Sequence, residues 1–199
     1  MLKLYWCANT RAFRISWLLE ETALPFQRVK IDIRDAAAKS DPAFRTVSPI
    51  GKVPALEDGV VRLTDSGAIC LYVADQYPST GLAPPIGHPD RGAYLQWVLY
   101  TNSAIEPAMV ERFQKFQPNP AAHGYGSFDL VVQTLVGALD GRGPWILGER
   151  FSAADVLLGT SVQYLIQFGL VSGQPVLQSY LERCQARPAY QRALAIEKA

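Results

Sequence analysis

Within residues 48–70, Ser-Pro-Ile-Gly-Lys-Val-Pro-Ala-Leu leads into Glu-Asp-Gly and then Val-Val-Arg-Leu-Thr-Asp-Ser-Gly-Ala-Ile-Cys. No other stretch restricts the possible folds as much. Val53-Pro54 opens a short apolar run, Asp58-Gly59 reverses it, and residues 60–63 return, which predicts a β-hairpin whose turn takes the positive φ that Asp-Gly supplies. Proline is tolerated at the head of a strand, where no ladder hydrogen bond is required of it. A cis Val53-Pro54 bond would turn the Val53 N–H and C=O outward, toward an extended ligand. Few X–Pro bonds are cis, about 5–6% in folded proteins, so the dipeptide alone leaves both isomers open.

The returning strand runs into Asp65-Ser66 and then the apolar spacing Ile69, Leu71, Tyr72, Val73. Ser66 is expected to cap a helix, with the Asp65 carboxylate beside the unpaired N–H groups of its first turn. Such a helix start can hold a zwitterion. The N–H groups and the Ser66 hydroxyl would take its carboxylate, and Asp65 its ammonium.

Upstream, Leu2, Leu4 and Trp6 alternate as a first strand, and Cys7-Ala8-Asn9-Thr10 forms a turn. A helix is expected over residues 11–23, with Ala12, Ile15, Leu19 and Thr22 along one stripe and Thr10 as its cap. Pro25 ends it, and Val29, Ile31 and Ile33 alternate as a second strand. Strand, helix and strand within 33 residues make a βαβ unit with parallel strands. Residues 36–47 carry a weak helical pattern. The first 80 residues then read β-α-β-α-β-β-α, the thioredoxin-like order.

The Pro/Gly-rich residues 81–89 read as a linker, and residues 90–199 as an all-helical domain. Residues 91–116 form a long amphipathic pattern in which Pro107 predicts a kink. Residues 118–126 break the pattern and Phe128–Leu139 resumes it. Ser152 and Asp155 form a capping-box pattern, flanked by Phe151 and Val156 as a hydrophobic staple. Little charge follows, so a buried central helix is expected there. A last helical segment covers residues 181–199.

The stretch around Val53 and Asp65 resembles the glutathione-binding half of the cytosolic glutathione S-transferases. In that family a Gly-Lys-Val-Pro-x-Leu segment precedes an acidic-Ser-x-Ala-Ile segment. The capping box at Ser152 and the Arg187-Pro188-Ala189-Tyr190 segment are similar to the helical domain of bacterial members. The resemblance implies a cis Val53-Pro54 bond, a Val53 backbone that pairs with the cysteinyl unit of glutathione, and an Asp65-Ser66 pair that grips its γ-glutamyl end. Lys39 and Lys52 would stand near the glycine carboxylate. Gln or His is usual in the family where Lys39 falls, and Asn where Ser48 stands.

The glutathione thiol would lie at the start of the first helix, where N–H groups and the helix dipole favour a thiolate. Tyr5, Cys7, Asn9 and Thr10 all stand near this turn. Counted back from Arg14, Thr10 takes the place of the catalytic serine of serine-type members, with the Asn9 amide one residue away. Cys7 carries a competing reading. Cys7-Ala-Asn-Thr10 occupies the place of the thioredoxin Cys-x-x-Cys turn, where a thiolate would form mixed disulfides with glutathione. A cysteine at a strand end can equally be a small buried hydrophobe. The electrophile is expected between the domains, bounded by Trp6 and by Tyr100, Met109 and Phe113.

Composition limits the partners. The net charge is +1, from 19 basic and 18 acidic residues with no basic block, so nucleic acid and anionic membranes are not expected. No apolar run approaches a membrane span, and the first residues do not follow a signal-peptide pattern. Cys7, Cys70 and Cys184 lack metal-ligand spacing, and His88 and His123 lie far apart, so no metal site is expected. A reduced, cytoplasmic setting fits three unpaired cysteines. The leading expectation is a transferase that joins the glutathione thiolate to small hydrophobic electrophiles, as a homodimer. The alternatives are a glutathione-dependent disulfide reductase on the same site and a non-catalytic interaction module.

Overall fold

Four strands, β1 (Leu2–Trp6), β2 (Phe26–Lys30), β3 (Ala55–Asp58) and β4 (Val61–Leu63), form one sheet in the order β2-β1-β3-β4. β1 and β2 run parallel, with Leu2 opposite Phe26, and β3 is antiparallel to both β1 and β4. This computed structural model describes residues 1–117 and 119–197. The second strand lies earlier than the alternation of Val29, Ile31 and Ile33 suggested. The Ile31 N–H still donates to the Trp6 carbonyl, at 2.8 Å, but β1 ends at Trp6, so the ladder has no partner for the residues beyond.

The chain divides into two units. The first comprises Met1–Thr80 and the segment that begins at Arg187, and the second is Gly81–Ala186. In the first unit, α1 (Ala12–Thr22) and α4 (Ser66–Gln76) pack together, and two short helices, α2 (Ala36–Ser40) and α3 (Pro42–Val47), fill the weak stretch. Asp35 and Asp41 cap these two short helices by accepting from the Ala37 and Phe44 N–H groups, each at 3.0 Å. All residues of α1 from Ala12 to Leu19 are buried, Arg14 among them. α1 is covered on two sides, because α10 (Pro188–Glu197) also packs along it.

The expected helical half ran from residue 90 to the C-terminus, whereas α10 groups with the sheet. Tyr190 explains this. Its ring is buried edge-on against both Phe13 and Trp17, at centroid distances of 5.1 and 5.0 Å.

The second unit is helical: α5 (Arg91–Tyr100), α6 (Glu106–Gln114), α7 (Phe128–Leu139), α8 (Ala153–Gln167) and α9 (Pro175–Gln185). A π-helical stretch, Thr101–Ile105, joins α5 to α6, and Pro107 accounts for it. Proline offers no N–H to the carbonyl four residues back and crowds it, so the preceding turn widens until Glu106 N–H donates to Thr101. Of the expected break over residues 118–126, Pro118 lies outside the described residues, as do the last two residues of the expected terminal helical segment.

α8 is the buried central helix, and Asp155 holds its start. The fully buried carboxylate accepts from Ser152 N–H and Ile146 N–H at 2.9 Å, from the Tyr180 hydroxyl at 2.8 Å and from the Ser152 hydroxyl at 3.1 Å. Burial pushes its pKa up to about 6 against the pull of those four donors.

Candidate functional site

The turn after β1 is built by its own side chains. The Thr10 hydroxyl donates to the Cys7 carbonyl at 2.6 Å and accepts from the Ala12 N–H, the first of α1, at 3.1 Å. It thus satisfies one of the helix's unpaired donors from one position outside the N-cap, which is Arg11 and not Thr10 as the sequence suggested. Asn9 stands between them with φ +58, a left-handed conformation that asparagine adopts more readily than most residues. Asn9 is exposed, whereas Cys7 is buried. The Cys7 Sγ accepts from Arg34 Nη1 at 3.2 Å, and Arg34 Nη2 donates to the Ala8 carbonyl, also at 3.2 Å. Tyr5 turns to the Phe44 ring, 6.1 Å away.

The Val53-Pro54 peptide is cis. The antiparallel ladder ends with Ala55 opposite Tyr5, so Val53 lies just before β3 and Cys7 just after β1, at the same end of the ladder. No hydrogen bond to either backbone group of Val53 is found among the described residues.

α4 begins at Ser66, and its cap is Asp65, not Ser66 as the sequence suggested. The exposed Asp65 carboxylate accepts from the Ala68 N–H at 2.9 Å. Ser66 is buried one position into the helix, and its Oγ accepts from Arg14 Nη1 at 3.4 Å. A fully buried guanidinium on α1 therefore ties the start of α4 to the helix that carries the turn. Arg14 had served only to count back to Thr10 in the sequence. A lone arginine inside the otherwise apolar face of a short helix was the signal that it does more.

Lys39 lies near a second cation, Arg45, that the sequence pattern did not single out. Gly51 adopts φ +63, and a Cβ there would collide with Arg45 Nη1 and come within 3.3 Å of Lys39 Cγ. Arg45 and Lys39 thus close over the backbone of a glycine whose neighbour is Lys52. Among the described residues no ion pair or side-chain hydrogen bond is found for any of the three. Ser48, fully buried, holds this loop by donating to the Lys52 carbonyl at 2.7 Å and accepting from the Lys52 N–H at 3.0 Å. Asp35 and Asp41, nearby in sequence, turn their carboxylates to the N-termini of α2 and α3 as caps.

Of the residues expected around the electrophile, Trp6 is buried in the first unit and Met109 in the second. The Tyr100 hydroxyl donates to the Val131 carbonyl at 3.2 Å, and burial raises its pKa. Phe113 is exposed, its ring 5.6 Å from that of Phe168. Cys7, Cys70 and Cys184 are buried thiols outside any disulfide, and burial pushes the Cys70 thiol up.

Residues 1–75 match the family model of the glutathione S-transferase N-terminal domain. Over its length the chain is similar to a sphingomonad glutathione S-transferase solved with glutathione, at 31% identity, 98% coverage of both chains and a TM-score of 0.81. It is also similar to a glutathione transferase from Methylococcus capsulatus strain Bath, at 29% identity, 100% and 99% coverage and a TM-score of 0.81. The disulfide-bond oxidoreductase YfcG of Escherichia coli K12 is 28% identical over 98% of this chain and 94% of its own length.

Proposed function

Because the chain belongs to the glutathione S-transferase family, we propose that it conjugates glutathione to small hydrophobic electrophiles. The observation that carries this reading is the placing of Val53. Its backbone, with no hydrogen bond among the described residues, lies at the end of the β1–β3 ladder from which the Cys7–Thr10 turn leaves, in the unit where Arg14 ties that turn's helix to Ser66. An extended tripeptide fits such an edge in one direction. Its γ-glutamyl carboxylate meets Ser66 and the α4 N–H groups, and its ammonium meets Asp65. The cysteinyl unit pairs with Val53, and the glycine carboxylate lies toward Lys39, Arg45 and Lys52.

The thiol then lies at the start of α1. It loses its proton to solvent, and the Thr10 hydroxyl or the Asn9 amide donates to the thiolate. The sulfur attacks an electrophilic carbon, the S–C bond forms, and a leaving group such as halide departs with the bonding pair. The protein acts as a homodimer, with glutathione as co-substrate.

A second reading is favoured by the Arg34 contact. The Arg34 guanidinium lies 3.2 Å from Cys7 Sγ, and a disulfide-bond oxidoreductase is among the similar proteins. In that reaction the Cys7 thiolate attacks the glutathionyl sulfur of a mixed disulfide between glutathione and a second thiol, that second thiol leaves as its thiolate, and another glutathione thiolate then attacks the Cys7 mixed disulfide, releasing glutathione disulfide and returning Cys7 as a thiolate.

Retention on immobilised glutathione, followed by conjugation of a nitro-substituted aryl chloride, tests the first reading. A protein that is retained, does not conjugate, and reduces a glutathione mixed disulfide follows the second. A protein that is not retained overturns both.

A further inference from the structure

The turn that carries Cys7, Asn9 and Thr10 is held from the far end of the chain. The Asn9 N–H donates to Glu197 Oε2 at 2.7 Å, across 188 residues of sequence. Glu197 is the last residue of α10, and α10 is anchored along α1 before it gets there. Arg187 reaches both oxygens of the Glu21 carboxylate, at 2.6 and 2.8 Å. Arg192 reaches the Glu20 carboxylate at 2.7 Å and the Glu20 carbonyl at 2.9 Å. These contacts and the buried Tyr190 ring secure the helix without any help from Glu197.

The carboxylate at its tip is costly where it stands. Its second oxygen, Oε1, is buried and has no hydrogen-bond partner among the described residues. Burial raises the pKa of the group, and the bond from Asn9 pulls it back. A helix docked only for packing does not require an acid in that place. Asn9, in contrast, sits in a left-handed conformation, φ +58, which the bond from its N–H to Glu197 holds in place.

We infer that Glu197 is a positioning residue for thiol activation: its carboxylate fixes the left-handed Asn9, and with it the Asn9 amide and the Thr10 hydroxyl, while its charge opposes the thiolate formed beside them. The inference rests on the transferase reading above. The charged and titratable groups of the turn and of α1 and α10, with the residues flanking them, include Cys7, Arg11 and Arg34, Arg14, Glu20 and Glu21 of α1, Arg187 just before α10, and Tyr190 and Arg192 of α10. Two of these acids are paired with arginines, which leaves Glu197 as the acid whose charge reaches the turn through its own hydrogen bond.

Two substitutions separate its effects. Glu197→Gln keeps an acceptor oxygen and removes the charge, whereas Glu197→Ala removes both. The thiolate absorbance of bound glutathione, titrated against pH, should move to acid by about 0.5–1 pH unit in Glu197→Gln. Amide hydrogen exchange at Asn9, measured without ligand, should stay as slow as in the wild type. In Glu197→Ala that exchange should quicken at least about tenfold, and kcat should fall about tenfold with the KM for glutathione nearly unchanged, as for one lost hydrogen bond to a charged group.

An unmoved titration in Glu197→Gln overturns the charge effect, and unchanged Asn9 exchange in Glu197→Ala overturns the positioning. A wild type that shows no heat of binding with glutathione overturns the transferase reading instead, and the exchange experiment still decides whether Glu197 holds the turn.

Discussion

Asp65 has two separable tasks, and one pair of substitutions measures both. Its carboxylate caps α4 through the Ala68 N–H at 2.9 Å, and in the proposed site the same exposed group faces the ammonium of glutathione. Asparagine keeps a side-chain oxygen that can accept from Ala68 but carries no charge, so Asp65→Asn should leave stability within a few tenths of about 1 kcal/mol. Asp65→Ala loses the cap as well, at about 0.5–2 kcal/mol. A hydrogen bond to a charged partner is worth roughly 1.5–3 kcal/mol, so both variants should bind glutathione about 10- to 150-fold more weakly. Denaturant unfolding reads the first effect and titration calorimetry the second. The cap is wrong if Asp65→Ala unfolds at the wild-type midpoint. The γ-glutamyl assignment is wrong if Asp65→Asn binds glutathione with wild-type affinity, since nothing but the charge was changed.

Three further outcomes follow from the same geometry. Thr10→Ala should lose conjugation at pH 7 and recover part of it at higher pH, while Cys7→Ser conjugates nearly normally; under the disulfide reading the two exchange roles, and mass spectrometry finds glutathione on wild-type Cys7. Arg45→Ala and Lys39→Ala should each weaken glutathione about 1.5- to 5-fold, an effect that fades with added salt as exposed charge pairs do, and a loss independent of salt would argue against a carboxylate partner. For Asp155 the folded pKa, about 6, lies above the unfolded value near 3.9, so its contribution to stability is complete below the unfolded value and is lost as pH rises through 6. The wild type should therefore gain about 1 kcal/mol from this group between pH 7 and pH 5, and Asp155→Asn should lack that slope; parallel slopes in the two proteins would refute it.

The hairpin, the helix from Ser66 to Gln76 and the buried helix behind Ser152 were legible because short-range chemistry specifies each of them. Asp-Gly needs little from the rest of the chain to turn, and an acid three residues into a helix finds its own backbone partners. Misreadings arose where a distant partner decides. The alternation at Val29, Ile31 and Ile33 is a strand pattern, but β1 stops at Trp6 and leaves Ile33 nothing to pair with. Ser66 and Asp65 are both good caps, and only the observed start of the helix chooses between them. Arg45 is six residues from Gly51 in sequence, and a positive φ at Gly51 is what brings the loop beneath it. The Glu197 contact, 188 residues from Asn9, leaves no trace in local pattern at all.

The two chemistries proposed for the turn ask for rearrangements of different size. The Thr10 proton is engaged with the Cys7 carbonyl at 2.6 Å. To serve a thiolate the hydroxyl must rotate, giving up a neutral hydrogen bond of about 1 kcal/mol for one to an anion worth about 1.5–3 kcal/mol. That exchange is favourable and involves a single torsion. Cys7 begins from a less accessible state: its residue is buried, its carbonyl is held by Thr10, and its sulfur is covered by Arg34. Attack on a disulfide needs the sulfur exposed along the line of the S–S bond, so Arg34 must swing away and give up its contact with the sulfur. The contact therefore shields Cys7. Arg34→Ala is thus expected to increase access to Cys7 and to leave conjugation through Thr10 unchanged. If disulfide reduction instead collapses in that variant with no gain in alkylation of Cys7, the guanidinium is an activator alone and the redox chemistry holds the stronger claim on this turn.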